Sequence, residues 1–554
     1  LKFLYFSISF LLFSVILFFV LYFSVDLPVN NLSQKESSVV YDRNGEMIRV
    51  FTKDGFFYLP YNENDNIPEK LKKAVLFYED RKFEHHFGVD LSAIVRAAYQ
   101  NIKKGKIHSG ASTVTMQLCR LMTQKKRSFK NKITESIQAL KIERKWNKDV
   151  ILRKYLTYCP YGQNIYGYKT ASLKYFRKPA EDLNWSEAAL LAILPNAPGL
   201  LHPEKNRERL TNKRNDLLKR MMDAQVITKA EYDEAVSIEP PKISVPFQTN
   251  AYHLTRELEV RSENRIIRTT LDKKVQVAAE QMLKNFSNET TSGLTNFAAI
   301  VTTVKDPEVL AWVGSHNFFD DYNNGQVDAL TSRRPVDGLL QPFLYALAID
   351  KLNLELSSEI SDTKQSYGNY TPTNIDGKYS GKTSAYKALR EFRNVPAVHL
   401  LHNFGIEEFY TFLKEAGAKS IPQPPEFYGY SLISGGFDLQ PVEIITLYNG
   451  LLGNGKFAKL KTIQGEQTKE NELISAKAAL DVVSALSKHE IKGQLIPYVA
   501  TCNRNGRECW TVVLEQDHIV LVWGGSMTGI SKPDTASTLN ELRTLAFSIY
   551  NAIE

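Results

Sequence analysis

The feature that most constrains this chain is its beginning. From Phe3 to Val25 it runs 23 residues without a charge, rich in Phe, Leu, Ile and Val. As a helix rising 1.5 Å per residue that run is about 34 Å long, enough to span a bilayer core. A cleaved leader has a shorter apolar region and a small-residue cleavage site. Here Asp26-Leu27-Pro28 follows, with no Ala-x-Ala. The reading is an uncleaved, single-pass anchor over residues 1–28. Lys2 carries the only side-chain charge before the run, so the positive-inside rule gives it little orientation.

At 554 residues the chain exceeds what one core holds and suggests two to four domains. Charged residues at 23% and hydrophobic ones at 43% are ordinary globular values. A net charge of +8 is modest for this size, so no nucleic-acid partner is expected. Cys119, Cys159, Cys502 and Cys509 show neither CxxC spacing nor a His cluster, which argues against a metal site. Cys502 and Cys509 read either as a disulfide in an oxidising envelope or as buried free thiols.

Chemistry concentrates between Glu79 and Gln117. Leu71, Ala74, Val75 and Tyr78 fall at i, i+3, i+4 and i+7 and predict a helix. It delivers Glu79 and Asp80 to its C-terminal end, where the macrodipole disfavours negative charge. Local propensity therefore does not explain the pair. Phe83, His85, His86 and Gly88 follow, and Asp90 predicts a cap for a second helix with Leu91, Ile94, Val95 and Ala98 on its buried face. After the basic Lys103-Lys104-Gly105-Lys106 comes Ser109-Gly110-Ala111-Ser112-Thr113, leading into Thr115, Met116 and Gln117. An acid pair, a hydroxyl-rich loop and a basic flank suit a substrate carrying hydroxyls and phosphates. The bland alternative is a solvated helix end and an ordinary turn.

Order and spacing decide between them. Glu79, Asp80, Phe83, His86 and Gly88, then Gly110, Ser112, Thr113, Thr115 and Gln117, resemble the E-D-x-x-F-x-x-H-x-G and G-G-S-T-x-T-x-Q motifs of the peptidoglycan glycosyltransferases, the polymerase domain of class A penicillin-binding proteins. Ala111 replaces the second glycine, and the Thr-Met-Gln ending is similar to the 1C type. The third motif, R-K-x-x-E, is matched by Lys132 and Glu135, with Asn131 in place of arginine. Arg127 stands where 1C-type members carry an arginine, within a basic cluster of Lys125, Lys126, Lys130 and Lys132. Glu135 points away from the apolar stripe of Ile133, Ile137 and Leu140, toward a cleft or water. Lys148 to Leu156 and Tyr161 to Gly167 resemble the fourth region. Asn184-x-x-Glu187 is a capping box, Pro195 stops its helix, and Glu187 to Pro198 is similar to the fifth motif.

The resemblance covers about residues 38–225 and implies a mostly helical, lysozyme-like glycosyltransferase domain over 29–240, sitting on the inner membrane with the bulk of the chain outside. Family members polymerise lipid II: an acceptor 4-hydroxyl attacks the anomeric carbon of the donor chain, inverting it, and undecaprenyl diphosphate leaves. On that reading Glu79 is the general base, its pKa raised by the like charge of Asp80. Glu135 is a second catalytic carboxylate. Asp80, Phe83, His86, Ser112, Thr113, Gln117, Arg127 and Lys132 contact substrate. The implied partners are lipid II, the growing glycan strand, membrane lipids and other cell-wall synthesis proteins. The family often uses a divalent cation, Mg or Mn, but no ligand set is assignable here.

Residues 241–290 read as a linker region. Ala298 to Val301 and Val309 to Val313 predict a hairpin around Asp306-Pro307. With Arg333-Arg334-Pro335 and Pro342 to Asp350, residues 291–554 resemble the penicillin-binding transpeptidase domain, an antiparallel sheet between helices shared with serine β-lactamases. The fold class expected is thus a multi-domain α+β chain: anchor helix, helical domain, then a β-lactamase-like domain. Its chemistry needs S-x-x-K, S-x-N and K-T-G. Here those places read Gly338 to Gln341, Phe392-Arg393-Asn394 and Val499-Ala500-Thr501. Glycine has no nucleophile, and glutamine is no base at neutral pH. Ser361-x-x-Lys364 has the spacing by chance. The resemblance implies a glycosyltransferase without cross-linking activity, and the extra C-terminal domain common in the 1C type is not expected. The rivals are a non-catalytic envelope scaffold and a penicillin-sensitive bifunctional synthase.

Overall fold

A computed structural model describes residues 2–32, 36–104, 111–125, 128–162, 164–196, 206–491, 493–503, 506–527 and 535–553. Two compact units divide the chain. The first takes 1–39, 49–248 and 264–266; the second takes 40–48, 249–263 and 267–554.

The first unit is helical. α1 (Lys2–Ser24) leads it. Apart from Ser9, its described side chains begin at Leu12, and among the described residues no helix is long and apolar enough to cross a membrane. α2 (Glu69–Glu79) buries Leu71, Ala74 and Val75 as its spacing predicts. α3 is Leu91–Lys104. α4 (Val114–Thr123), α5 (Phe129–Lys145) and α6 (Lys148–Tyr158) start at Thr113, Ser128 and Asn147, whose side chains each accept a first-turn N–H. α7 (Tyr168–Phe176) precedes α8 (Trp185–Ile193), which opens on the Asn184–Glu187 capping box. α9 (Arg207–Asp223) and α10 (Lys229–Ser237) close the series. α8 is apolar nearly all round, which makes it a central helix. It packs against α2 and α9, and its Leu190, Leu191 and Ile193 join Leu71, Leu118, Leu152 and Leu217 in one core. Strands β1 (Phe57–Tyr58), β2 (Pro160–Gly162) and β3 (Ile165–Tyr166) form a small side sheet.

Two helices present faces other than those the sequence suggests. Asp90 caps α3 as expected, its Oδ1 accepting from Ala93 N at 3.0 Å. The predicted buried face is nevertheless outside: Leu91 is 73% exposed and Val95 69%. Ala98 has no described side chain. α3 instead rests on Ala93 and Ala97, packed with Ala111; small side chains let the helix lie close, and its bulky apolar residues face outward. In α5, Ile133 is 44% exposed while Glu135 is buried, so part of the apolar stripe looks away from the core and the carboxylate looks into it.

The second unit is built on a six-stranded antiparallel sheet. Its strands are β4 (Asn296–Thr303), β5 (Val309–Val313), β6 (Ser487–Ile491), β7 (Gln494–Cys502), β8 (Glu508–Leu514) and β9 (His518–Gly525), in the order β6-β7-β8-β9-β4-β5. β4 and β5 form the predicted hairpin, with Ala299 opposite Val313. Every residue of β5 and β8 is buried, so both faces of the sheet are covered. On one face lie α11 (Lys273–Glu289), which begins within the stretch read as a linker, and the last helix, Thr535–Asn551. α12 (Gln341–Leu352), α13 (Asn394–Phe404) and α14 (Pro441–Leu452) make up the other helical side. Cys502 and Cys509 form a disulfide between the end of β7 and the start of β8, while Cys119 and Cys159 are buried free thiols.

Candidate active site

α2 ends at the acid pair, and the two carboxylates meet different surroundings. Glu79 Oε2 accepts from Gln117 Nε2 at 2.7 Å, and the Tyr155 hydroxyl holds that amide from behind, 3.4 Å from Gln117 Oε1. Glu79 Oε1 is out of contact with solvent and has no hydrogen-bond partner among the described residues. Burial pushes the Glu79 carboxyl above its ordinary range. The Gln117 hydrogen bond and the charges of Arg120 and Lys213 oppose that shift, and Asp80 adds the smallest contribution. Desolvation, rather than the neighbouring like charge, is thus the main cause.

Asp80 is committed to the protein. Its Oδ2 accepts from Val114 N at 3.0 Å, which ties it to the N-terminus of α4, a favourable place for an anion. His86 Nε2 lies 3.0–3.1 Å from both Asp80 oxygens. His86 Nδ1 accepts from Gly88 N at 3.1 Å, so Nε2 carries the proton and donates it to Asp80. Thr113 caps α4 and donates from Oγ1 to Gly88 O at 2.6 Å. Thr115 Oγ1 donates to Glu143 Oε1 at 2.6 Å, and Lys148 Nζ bridges Glu143 and His86 O at 2.8 and 2.6 Å. Phe83 is buried, its ring centroid 4.5 Å from Lys148 Nζ. These contacts fasten the first motif to the second and leave Glu79 Oε1 as the unengaged acceptor of the acid pair. Gly88, at φ +84°, completes the clasp: a Cβ there would lie 2.8 Å from the Ala139 carbonyl carbon.

The remaining predicted residues are more dispersed. Ser112 is half-buried just ahead of α4, and Lys132 is half-buried on α5. Glu135 faces the interior, where its charge reaches the Cys119 thiol and helps burial push that group up. Gly110 and Arg127 lie outside the described residues. Sequence reasoning passed over Arg81, Arg96 and Arg220; burial first, then the like charges of Arg220 and Arg96, lower the pKa of the Arg81 guanidinium. It also passed over Glu143, and it placed Tyr155 in the fourth region without joining it to the acid pair, to which no spacing within one segment connects either residue. Among the described residues no group of three or more His, Cys, Asp or Glu side chains is gathered to hold a metal ion, and both Asp80 oxygens are occupied.

Beside His86 a groove of about 1070 Å³ opens between α1, α3 and α5, lined by Leu17, Phe18, Leu91, Ile94, Ile133 and Leu140 among others. Gln138 Nε2 donates to Asp26 O at 2.7 Å, and Lys141 Nζ to Val25 O, so the end of α1 is tethered to α5. The outward stripes of α3 and α5 thus face this groove or the solvent.

In the second unit the residues read as degenerate transpeptidase positions are tightly packed at Gly338, Gln341 and Val499, which are buried. Phe392 adopts a left-handed backbone, φ +49°, and its ring fills the space beside Gly338: a Cβ on that glycine would lie 3.3 Å from Phe392 Cδ1 and 3.5 Å from Gln341 Nε2. Gln341 Nε2 donates to Asn394 Oδ1 at 3.1 Å, while Oε1 has no partner among the described residues. Ser361 pairs with Thr363 at 2.9 Å within a strand, and no hydrogen bond or ion pair among the described residues joins it to Lys364.

A helical unit whose acid pair is fastened through Asp80 to a capped helix, followed by an antiparallel sheet between helices, defines a two-part class. A family model described as Transglycosylase matches residues 46–222. Penicillin-binding protein 1C of Escherichia coli is 31% identical over 513 residues, 91% of this chain and 66% of that protein. Penicillin-binding protein 1F of Bacillus subtilis is 29% identical over 447 residues, 76% of this chain and 60% of that protein. The chain therefore spans about two thirds or less of the length of these relatives. Its fold is like the crystal structure of penicillin-binding protein 1A from Haemophilus influenzae, with a TM-score of 0.54 over 94% of this chain and 92% of that one at 17% identity. The chain belongs to the class A penicillin-binding proteins and has their multi-domain α+β fold.

Proposed function

We propose that the first unit polymerises lipid II into glycan strands and that the second no longer cross-links them. The observation that carries the first part is Glu79: a half-buried carboxylate with a raised pKa, one oxygen fixed by Gln117 and the other unengaged. A sugar hydroxyl is a weak nucleophile and needs a base within hydrogen-bond reach. In the proposed step Glu79 Oε1 takes the proton of the acceptor 4-hydroxyl as that oxygen bonds to the donor anomeric carbon. The anomeric bond to undecaprenyl diphosphate breaks on the opposite face, which inverts the centre. Arg81, Arg96, Arg220, Lys213 and Lys132 supply positive charge for the departing diphosphate. Ser112 and Arg127 are assigned substrate contacts and Glu135 the second carboxylate of the site, as the family motifs imply.

The apolar groove supports the same reading. Phe87, which lines it, is 80% exposed, and Val95 and Ile102 of α3 are 69% and 82% exposed, a concentration of bare apolar surface that water alone does not favour. A polyprenyl tail and membrane lipid account for it. We assign residues 1–28 to a single-pass anchor in the cytoplasmic membrane with the rest of the chain outside, where enzyme and substrate meet in two dimensions. The inactivity of the second unit rests on Gly338 and on Phe392 in the space beside it.

The test is lipid II polymerisation by the detergent-solubilised protein beside Glu79→Gln. Polymer from the parent and none from the variant supports the enzyme and its base. Polymer from both overturns the role of Glu79. No polymer from either, with lipid II still bound, favours a scaffold.

A further inference from the structure

Where α1 ends, three cations stand without a counter-charge. Tyr5 and Tyr22 lie near the two ends of that helix, about 26 Å apart along its axis. That is close to the thickness of a hydrocarbon core, and tyrosine favours the two interfacial levels on either side of one. Phe18, Phe19, Tyr22 and Phe23 pack ring to ring with centroids 5.5–6.4 Å apart. On the anchor reading, Tyr22 therefore marks the depth of the lipid head groups on the outer side.

The end of α5 lies at that depth. Lys141 Nζ is 5.1 Å from the Tyr22 ring centroid and donates to the Val25 carbonyl, just past the end of α1. The Arg144 guanidinium carbon is 5.9 Å from the same centroid, and its Nη1 donates to the Tyr22 hydroxyl at 3.4 Å. Lys145 Nζ lies 5.8 Å from the Trp146 ring centroid. Arg144 and Lys145 are exposed and Lys141 is half-buried. None of the three forms an ion pair among the described residues, and Glu143, the acid among them in sequence, is taken by Thr115 and Lys148. The α5 dipole places about half a negative charge at this end, which suits Arg144 and Lys145 in the last turn but leaves most of three positive charges unbalanced. In open water such cations are simply solvated. At the depth of Tyr22 their neighbours are lipid phosphates, and each basic side chain near an anionic surface strengthens the attraction about five-fold.

We propose that Lys141, Arg144 and Lys145, with Tyr22 and Trp146 beside them, form a head-group site for an anionic phospholipid in the outer leaflet of the membrane. Arg144 and Lys145 donate to its phosphodiester. Lys141, already bound to the Val25 carbonyl, holds the anchor against α5 and reinforces the field. The site rests on the assignment of residues 1–28 as an anchor. It differs from the apolar groove, which suits the tails of any lipid, because here the charge of the head group is selected. A lipid held there fixes the end of α5 to the membrane surface.

The test places the full chain in phosphatidylcholine nanodiscs that carry a trace of phosphatidylglycerol with a diazirine close to its head group. Parallel discs carry phosphatidylcholine with the same diazirine, and peptide mass spectrometry reads the labelling of residues 22–25 and 141–146. Phosphatidylglycerol is expected to label them about five-fold or more above phosphatidylcholine. The excess should shrink toward parity in concentrated sodium chloride. Arg144→Gln is expected to lower it about five-fold, and Arg144→Gln with Lys145→Gln to abolish it. Equal labelling by the two lipids, an excess unaltered in the double variant, or displacement by added lipid II, which assigns the cations to the substrate diphosphate, overturns the site. Alkaline carbonate extraction of liposomes holding the protein tests the anchor separately. Release from the membrane overturns the anchor and the site together, whereas retention without lipid preference overturns the site alone. The lipid and salt comparisons need only the parent protein, so they stand even if a variant fails to fold.

Discussion

Glu79 in the first unit and Gln341 in the second make an informative pair. Each is held through one head-group atom, Glu79 by the Gln117 amide and Gln341 by Asn394, and each leaves Oε1 without a hydrogen bond. They differ in charge and in what surrounds them. Glu79 is a half-buried carboxylate that burial has made more basic, at the end of a helix. Gln341 is neutral, fully buried, and covered by Phe392. An unsatisfied buried oxygen costs about 1–3 kcal/mol in either place. In the first unit the residue that bears it is partly exposed, and on the proposed reading that cost leaves an acceptor for a hydroxyl; in the second the whole side chain is covered. An open valence indicates function only where the packing leaves a way in.

The sharpest way to break the comparison is Glu79→Gln, which makes the two sites chemically alike. Polymerisation is expected to fall about 10³-fold, within the range for losing a general base, as read by glycan product from lipid II. Next, Asp80→Ala strips acceptors from Val114 N and His86 Nε2 together. It is expected to cost about 3 kcal/mol in chemical denaturation and to lower polymerisation with it, since the clasp around Glu79 loosens. In the second unit, the paired change Cys502→Ser and Cys509→Ser opens a short loop and is expected to cost about 2 kcal/mol of that unit's stability.

A smaller effect sharpens the contrast in charge. Because the folded-state pKa of Glu79 is raised, its contribution to stability is fully present below the unfolded carboxylate range. It is lost as pH rises through the folded value. The glutamine variant escapes that loss, so its melting temperature at neutral pH is expected to be no lower than the parent's. The acid limb of the parent's polymerisation rate should lie above the range of a free carboxylate. The smallest expected effect is none: labelled penicillin should acylate neither the parent nor Gly338→Ser, because that serine meets the Phe392 ring and finds glutamine, not lysine, beside it.

Much of the first site was legible because its motifs are short and local. The stripe on α2, the caps of α3 and α8 and the Glu79-to-Gln117 spacing each lie within one segment. The outward faces of α3 and α5 were not, because an apolar stripe says that something must cover it without saying whether protein or lipid does. Nor was the clasp that Glu143 and Lys148 make on Thr115 and His86 across separate helices. The cause of the Glu79 shift was misassigned for a related reason: Asp80 adjoins it in sequence, but burial depends on the whole core. The replacements at Gly338, Gln341 and Phe392 could be read directly, yet their closure depends on one left-handed residue that sequence does not announce.

That residue bears on the history of the chain. If the second unit no longer cross-links, as proposed, Phe392 against Gly338 acts as a ratchet: a serine at 338 alone would press on that ring and meet glutamine, so a return would need serine, lysine and a smaller residue at 392 together.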